Sequence, residues 1–453
     1  MANDWLFNVL LILVAIVVFV FLVLPRLRKS ELWQATLTPL SSIIGSGFLV
    51  MAPLLASIVG VYATYAVTGI VLVAYALGYV MRYNISNVES PSLDSEPHKV
   101  FRVPEYLGNL VLVVAYVIAV AFYLSLLSDF LLNFFGINNI LLERIFTSTI
   151  IVFIAIVGYT RGLTGLERLE SYSMTIQLSV VAALILGLCL FNFNFQEKVV
   201  FAREEFTFVV QIQMLAGVLL VVQGFETSRF LGDKYTPEVR IKSMRIAQWI
   251  SGVIYIVSVF LLLPVLTNVD LFNVELSSII SAMAPVAFVL PAMLMLAALM
   301  SQFSAAVADT SGGGGLLREN SQDILSSKVG YIVVSISAAM LVWTVDLFGI
   351  IALASKAFAA YYFVQTVLAL IHNTREGMFR SLAAIWRQVL FVALALILAF
   401  VVIFSIPAEE EDTEHKVEIT TDLISDMNTV RLNEIHSLTV KSGYRPDLVN
   451  HSI

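Results

Sequence analysis

The sequence predicts an all-α integral membrane protein with about twelve transmembrane helices. Hydrophobic residues make up 59% of its 453 positions and charged residues only 13%. A soluble domain needs more polar residues than this to cover its core. The hydrophobic residues also occur in blocks of roughly 20, which is the length of helix that crosses a bilayer.

These blocks are expected to be helices because they lack the alternating pattern of barrel strands, and lipid offers no partner to an open strand edge. The single cysteine, Cys189, lies in the sixth block and excludes an intramolecular disulfide. The predicted blocks are 5–24, 35–58, 62–82, 107–135, 144–160, 172–192, 206–228, 246–267, 284–310, 329–345, 348–371 and 384–406.

Composition divides the chain into five predicted parts. Residues 1–34 form an extra N-terminal transmembrane helix and a basic cytoplasmic link. Residues 35–192 form a first five-helix repeat, and residues 206–371 form a second, inverted one. Residues 372–406 form a cytoplasmic loop and the last transmembrane helix, and residues 407–453 form an acidic extracytoplasmic tail.

Positive charge predicts the orientation. Eighteen Lys and Arg residues fall in the connections, or at the block ends beside them, on one side of the blocks, and only three do so on the other side. The positive-inside rule therefore predicts an inner-membrane protein with both termini extracytoplasmic. The net charge of −7 comes almost entirely from the tail, so no nucleic-acid partner is expected. The polar segment 83–106 is interpreted as a plain loop, with a short interfacial helix as the alternative.

Two blocks contain interruptions at corresponding positions. The second block contains Gly45-Ser46-Gly47, and the seventh, five blocks later, contains Gln223-Gly224. Such a pair of broken helices favours an inverted-repeat transporter site. Half-helix N-termini favour a carboxylate, whereas freed carbonyls favour an ammonium or a metal cation, and an amino acid presents both of its ends. The alternative is close helix packing through small residues.

Three segments carry a resemblance to a known family. They are IIGSGFLVMAPLLASIVG at 43–60, VVQGFETSRFLGDKYTPEVRIKSMRIAQ at 221–248 and LMSQFSAAVADTSGG at 299–313. They are similar to the first, sixth and eighth core helices of the amino acid/polyamine/organocation (APC) superfamily, in particular of bacterial amino acid permeases. The resemblance implies a LeuT-like core of five plus five inverted helices, preceded by one extra helix and followed by one more.

The resemblance also implies a substrate site at the two breaks. It assigns the substrate carboxylate to the backbone at Ile44, Gly45, Ser46 and Gly47. It assigns the amino group and side chain of the substrate to the backbone near Val222, Gln223 and Gly224. Glu226 matches the acidic position that follows the second break in the family.

A coupling ion is expected beside the first break. In sodium-coupled relatives, hydroxyls of the eighth core helix join carbonyls of the first broken helix, which implies a sodium site at Gly45, Thr310 and Ser311. The neighbouring Asp309 is a candidate for coupling or gating. The alternative is that Asp309 reaches cytoplasmic water and that Gly312–Gly315 end the helix.

Ionisable residues inside a membrane block cost a few kcal/mol each and are functional candidates. Glu226 is one, with an interfacial cap as its alternative. Lys356 is another, because it lies too deep in the eleventh block for snorkelling. It is interpreted as a partner of Asp309 or Glu226, or as the carrier of a coupling proton. Four tyrosines are candidates for lining a substrate pocket or for packing: Tyr116, Tyr123, Tyr361 and Tyr362.

These features predict a secondary active transporter that moves an amino acid or a related small amine or organic solute by alternating access. The chain has no Gly-x-x-x-x-Gly-Lys-Ser/Thr motif, so an ion gradient of Na⁺ or H⁺, or exchange, is expected to drive it. No His or Cys has a ligand arrangement within the blocks, so neither an enzyme nor a prosthetic cofactor is expected. Membrane lipid and the small solute are the expected partners. The alternatives are a sodium symporter for another solute and a non-transporting sensor or scaffold.

Overall fold

The computed structural model describes residues 5–45, 47–88, 98–137, 139–194, 199–201, 206–267, 269, 271, 276–345, 347–375 and 381–405. The elements in this part of the chain are helices. Fourteen are α-helices: α1 (Trp5–Val23), α2 (Pro25–Arg28), α3 (Glu31–Ile44), α4 (Gly47–Val59), α5 (Ala63–Asn87), α6 (His98–Phe134), α7 (Ile140–Asn194), α8 (Phe208–Val218), α9 (Pro237–Leu266), α10 (Leu276–Ser281), α11 (Leu290–Asn320), α12 (Ser327–Thr344), α13 (Leu347–Arg375) and α14 (Leu382–Phe404). Three short 3₁₀ helices join them: Gly60–Tyr62, Leu219–Val222 and Phe225–Phe230.

Eight helical stretches of the described residues are long and apolar enough to cross a membrane. The predicted blocks 144–160 and 172–192 both lie in α7, which bends at Gly162, where φ is 61° and ψ is −157°. Two further blocks are interrupted helices whose halves are too short to span a membrane alone. Twelve crossings therefore remain a prediction, while the multi-spanning helical architecture is confirmed.

Both predicted interruptions are present. Helix α3 ends at Ile44 and α4 begins at Gly47, with Gly45 between them at φ 0° and ψ −130°. Ser46 lies outside the described residues. In the second repeat, Gly224 has φ 110° and separates the two 3₁₀ helices that follow α8. Glycine has no Cβ, so it adopts this positive φ without steric cost.

The broken helix α3 lies at the centre of the bundle. Every residue from Ala35 to Ile44 is buried, and α3 packs against α7, α9 and α11. By contrast, α1 and α14 are peripheral, packing mainly against α7 and α13 respectively and leaving apolar side chains such as Trp5 and Leu396 exposed. The site is therefore positioned by the inner helices, and the two terminal helices offer apolar faces to lipid.

One alternative predicted that the glycine run Gly312–Gly315 ends α11. It does not. Helix α11 continues to Asn320. A Cβ on Gly314 would lie 2.1 Å from Cδ1 of Tyr331, and a Cβ on Gly315 would lie 2.2 Å from the carbonyl oxygen of Phe230. The glycines therefore allow α12 and the 3₁₀ helix Phe225–Phe230 to pack closely against this face of α11.

The interpretation of residues 83–106 as a loop is also corrected. Helix α5 continues to Asn87 and α6 begins at His98, so both ends of this segment are helical. Residues 89–97 lie outside the described residues. The helices described above all belong to one compact unit, Met1–Ile406. The acidic tail, Pro407–Ile453, is a separate unit and also lies outside the described residues.

Replacing Gly330 with alanine tests the close packing of α11 and α12. The new Cβ would lie 2.7 Å from the carbonyl oxygen of Gly314 and 2.8 Å from its Cα, and backbone cannot move aside as a flexible side chain can. We expect Gly330→Ala to lower stability by about 1–3 kcal/mol, measured by thermal unfolding in detergent. Gly69→Ala in α5 is the control, because a Cβ there meets nothing within 4 Å. Equal unfolding temperatures for the two variants would contradict this packing.

Candidate functional site

The two helix breaks touch each other inside the bundle. A Cβ on Gly224 would lie 2.4 Å from Oγ of Ser42 and 2.6 Å from its carbonyl carbon. A Cβ on Gly47 would lie 2.3 Å from Cγ1 of Val221 and 3.1 Å from the Val221 carbonyl oxygen. Glycine is thus needed on both broken helices where they meet, and the structure brings together the segments that the sequence predicted to form one site.

Side chains from two other helices satisfy carbonyl groups that the first break exposes, and a third helix supports one of them. The Tyr255 hydroxyl on α9 donates to the Ile43 carbonyl at 2.7 Å. The Ser301 hydroxyl on α11 donates to the Gly45 carbonyl. Gln177 on α7 in turn donates its amide to Ser301 Oγ at 2.7 Å. Buried peptide groups without such partners would be costly in lipid.

Glu226 holds the second break. Its Oε2 accepts the Gly224 backbone N–H at 3.0 Å and the Tyr362 hydroxyl, and its Oε1 accepts the Tyr116 hydroxyl at 3.1 Å. The Phe225 ring stacks on Tyr362 with centroids 5.2 Å apart. Glu226 is fully buried, so the alternative that it caps an interface is wrong.

The four candidate tyrosines have three different surroundings. Tyr116 and Tyr362 contact Glu226, as described above. The Tyr361 hydroxyl accepts a hydrogen bond from Arg229 at 3.4 Å. Tyr123 is partly buried and packs against an apolar cluster away from the breaks. Only two of the four therefore belong to the site itself.

Two further buried carboxylates lie beside α3. Asp309 is 1% exposed and accepts the Ser42 hydroxyl at 2.7 Å, so the alternative that it reaches water is wrong. Glu170 is fully buried and accepts hydroxyls from Thr38 at 2.6 Å and Ser311 at 3.3 Å. Hydroxyls one turn apart on the first broken helix thus bind two different carboxylates.

Sequence reasoning missed Glu170 because it lies just before the predicted block 172–192, among charged residues assigned to a connection. In the structure α7 is helical and buried there. A signal was available in the helical spacing of polar residues: Glu170, Ser173 and Gln177 recur at intervals of three and four, and all are buried on the same face.

Within the described residues, no Lys or Arg forms an ion pair with Glu170, Asp309 or Glu226. The prediction that Lys356 neutralises Asp309 or Glu226 is not supported, because its side chain is exposed on the outer face of α13. The buried face of this helix includes Phe358, which is two residues further on. Two residues correspond to about 200° around a helix, so the two side chains point in nearly opposite directions.

The predicted sodium ligands do not converge. Gly45 lies at the level of Ser301, whose hydroxyl binds its carbonyl. The Thr310 hydroxyl donates instead to the carbonyl of Ala306 at 2.7 Å. A Cβ on Gly45 would also lie 3.2 Å from Cβ of Ala305. At 1.5 Å per residue along α11, Ser311 is about 15 Å from Ser301 and about 9 Å from Ala305. Gly45, Thr310 and Ser311 therefore do not fit a single sodium ion.

Ion pairs close one end of the bundle, which we call the basic end and define as the region where residues 98–105, 161–168, 229–245 and 318–328 meet. Arg229 is 1% exposed and lies in the last turn of the 3₁₀ helix Phe225–Phe230, which also carries Glu226. Its guanidinium contacts Glu105 at 2.5 Å and Glu319 at 3.5 Å. We call these three residues the Arg229 clamp. It ties the segment after the second break to α6 and α11.

A second set of contacts lies at the same end. Lys234 forms an ion pair with Glu167, and the Tyr235 hydroxyl donates to Glu167 at 2.6 Å. Burial, and next the neighbouring Glu167 charge, raise the pKa of the Tyr235 hydroxyl, so it remains a donor.

Comparison with known proteins identifies the family. A family model described as APC superfamily transporter matches residues 25–405. The chain belongs to the APC superfamily of transporters. A protein of Aquifex aeolicus (strain VF5), described as uncharacterized, is 41% identical to this APC transporter over 395 residues, which are 86% of this chain and 94% of the relative.

Solved structures show the fold of this APC transporter. MhsT in complex with L-phenylalanine aligns with a TM-score of 0.54 and 12% identity, covering 83% of this chain and 99% of MhsT. Mhp1, a nucleobase-cation-symport-1 family transporter in a closed conformation with bromovinylhydantoin bound, aligns with a TM-score of 0.51 and 14% identity, covering 85% of this chain and 93% of Mhp1. The predicted LeuT-like fold is confirmed.

Replacing Arg229 tests whether the Arg229 clamp holds the basic end closed. Arg229→Gln removes the charge and leaves Glu105 and Glu319 without their shared partner. We expect hydrogen exchange to be about tenfold faster, measured by mass spectrometry, in the 3₁₀ helix after the break and in the first turns of α6. Arg168→Gln is the control because Arg168 is exposed. Unchanged hydrogen-exchange rates in Arg229→Gln would show that the Arg229 clamp does not stabilise the closed basic end.

Proposed function

We propose that this APC transporter moves an amino acid or a related small amine across the inner membrane by alternating access, with the solute bound where the two helix breaks meet. The contact between Ser42 and Gly224 carries the proposal, because it joins the ends of two interrupted helices in the buried centre of the bundle. Peptide groups exposed at such breaks are the means by which a membrane site binds a charged solute.

The ends of the half-helices suit the two charges of an amino acid. The N-terminus of α4 at Gly47, together with the backbone at Ile44, Gly45 and Ser46, would bind the carboxylate, since helix N-termini favour anions. The second break, Val222–Gly224, would face the amino group. There Gln223 Oε1 is buried and has no hydrogen-bond partner in the described part of the chain. MhsT, which has the same fold, holds the amino acid L-phenylalanine.

The buried carboxylates support coupling to protons. Glu170, Asp309 and Glu226 form no ion pair with a basic residue in the described part of the chain. Three such negative charges are too costly in a membrane interior, so protons or a cation must neutralise them. We assign the coupling role to Glu170 and Asp309, because Thr38 and Ser42 bind them from the broken helix α3. Gaining or losing a proton there changes the contacts of α3 directly. Protons are preferred to Na⁺ because the predicted sodium ligands do not converge.

The Arg229 clamp supplies a gate to this scheme. Arg229 lies five residues after Gly224, so movement of the second break would displace Arg229 relative to its partners in the clamp. Release of solute at the basic end would separate Arg229 from Glu105. The positive-inside rule assigns this end to the cytoplasm, with both termini extracytoplasmic.

Replacing Glu170 tests the coupling role. Glu170→Gln keeps hydrogen bonding to Thr38 and Ser311 but cannot carry a proton. The assay uses proteoliposomes with an inward proton gradient and a labelled mixture of L-amino acids. We expect wild-type protein to accumulate label, and Glu170→Gln to accumulate about tenfold less label or lower still. Exchange of internal for external label should persist. Glu238→Gln, at an exposed position, should behave as wild type.

Other outcomes of this experiment favour the alternatives. Wild-type accumulation that requires a sodium gradient and ignores the proton gradient would identify a sodium symporter and reject proton coupling. Amino acids that stabilise the purified protein without any accumulation or exchange would indicate a sensor. Full accumulation by Glu170→Gln would remove Glu170 from the mechanism.

Removing one hydroxyl tests the second break. Tyr362→Phe deletes a donor to Glu226 and loosens the carboxylate that holds the Gly224 N–H. Since one hydrogen bond contributes about 1 kcal/mol or more, we expect the amino acid concentration that gives half-maximal thermal stabilisation to rise about tenfold. Tyr123→Phe is the matched control, since Tyr123 packs away from the breaks. An equal rise in this concentration for both variants would show that the Tyr362 hydroxyl has no specific role in solute binding.

A further inference from the structure

A cavity of about 610 Å³ lies between α5, α9 and α14, away from the helix breaks. Of the described residues that line it, three are arginines, three are aromatic and none is acidic. The residues used below are Arg82, Arg245, Arg387, Tyr75, Tyr79 and Trp386. Neither the substrate site nor the coupling residues proposed above include any of them.

The three guanidinium groups have no negative partner in the part of the chain that the structure describes. Arg82 is 5% exposed, donates to Gln248 and stacks over the Tyr75 ring at 4.9 Å. Arg387 stacks over Tyr83 at 5.4 Å, and its buried Nε has no hydrogen-bond partner among the described residues. Among the residues that the structure describes, no Asp or Glu forms an ion pair with Arg82, Arg245 or Arg387. Three like charges on one cavity favour an anion that accepts several hydrogen bonds.

The cavity lies where lipid headgroups are expected. Arg82 is near the last turn of α5, Arg245 is in the third turn of α9, and Arg387 is in the second turn of α14. All three are therefore near helix ends on one side of the bundle. Trp386 is 71% exposed and Trp249 is 60% exposed, as expected of an aromatic belt at the membrane surface.

The surface beside the cavity is apolar. Val389 and Val392 follow Trp386 along α14 and are 54% and 44% exposed. A ligand that filled the cavity with its anionic group could lay hydrocarbon chains along this face. A soluble anion would use the arginines alone, whereas a phospholipid would use both surfaces.

We propose that this cavity binds the headgroup of an anionic phospholipid such as phosphatidylglycerol. Its phosphate accepts hydrogen bonds from Arg245, Arg387 and Arg82, while Tyr79 and Trp386 flank the glycerol region. The acyl chains lie along α14. The guanidinium groups match the geometry of phosphate oxygens, and their charge selects anionic over zwitterionic lipid.

Native mass spectrometry of the purified protein in detergent tests this site. The probes are phosphatidylglycerol and phosphatidylethanolamine with identical acyl chains. We expect wild-type protein to bind phosphatidylglycerol about tenfold more tightly, and the double variant Arg245→Gln/Arg387→Gln to lose this preference. Lys242→Gln/Arg26→Gln removes the same charge from exposed positions and should keep the preference. Arg82 is left in place because it is buried against Gln248.

Three results would overturn the proposal. One is equal affinity of wild-type protein for the two lipids. Another is an undiminished preference in Arg245→Gln/Arg387→Gln, with thermal unfolding confirming that the variant is folded. The third is full displacement of phosphatidylglycerol by inorganic phosphate at the lipid's own concentration, which would assign the arginines to a soluble anion. Loss of the preference in the cavity variant alone supports the lipid site.

Discussion

The structure depends on one constraint: two helices are interrupted inside the membrane region, and every peptide group they expose needs a partner there. The breaks solve part of this by packing on each other, with Gly224 against Ser42. Tyr255 and Ser301 satisfy carbonyls of the first break, and Glu226 satisfies an N–H of the second. Because these partners come from α9, α11 and the second break itself, movement of either break changes contacts across the whole centre of the bundle.

The buried charges follow from the same arrangement. Ser42 contacts Gly224 on one side and donates to Asp309 on the other, and Thr38, one turn earlier, donates to Glu170. The first broken helix therefore links the proposed solute site to two buried carboxylates. An ion that binds these carboxylates and a solute that parts the breaks act on one helix, which is the physical requirement for coupling their binding free energies.

Sequence patterns predicted the parts of the fold that depend on local chemistry. Glycines at matching positions predicted both breaks, and block length predicted the spanning helices. The errors concern which way side chains face. Helix α13 is apolar on nearly all sides, so the sequence did not reveal that Lys356 points outward. Glu170 was assigned to a connection because α7 is longer than its hydrophobic block. Gly312–Gly315 indicated a helix end, but packing against α12 keeps α11 helical. The predicted sodium ligands Gly45, Thr310 and Ser311 do not meet because Thr310 and Ser311 lie further along α11 than the residues that contact Gly45.

The central claim is that protons neutralise the carboxylates bound to α3. Infrared spectroscopy of the purified protein in detergent tests it directly, because protonated and ionised carboxyl groups absorb at different frequencies. We predict a protonated carboxyl band at neutral pH that loses most of its intensity in Glu170→Gln/Asp309→Asn, where Glu226 remains, and that does not respond to added Na⁺. A spectrum without that band, in which Na⁺ instead shifts the carboxylate absorption of wild-type protein but not of the double variant, would contradict the account.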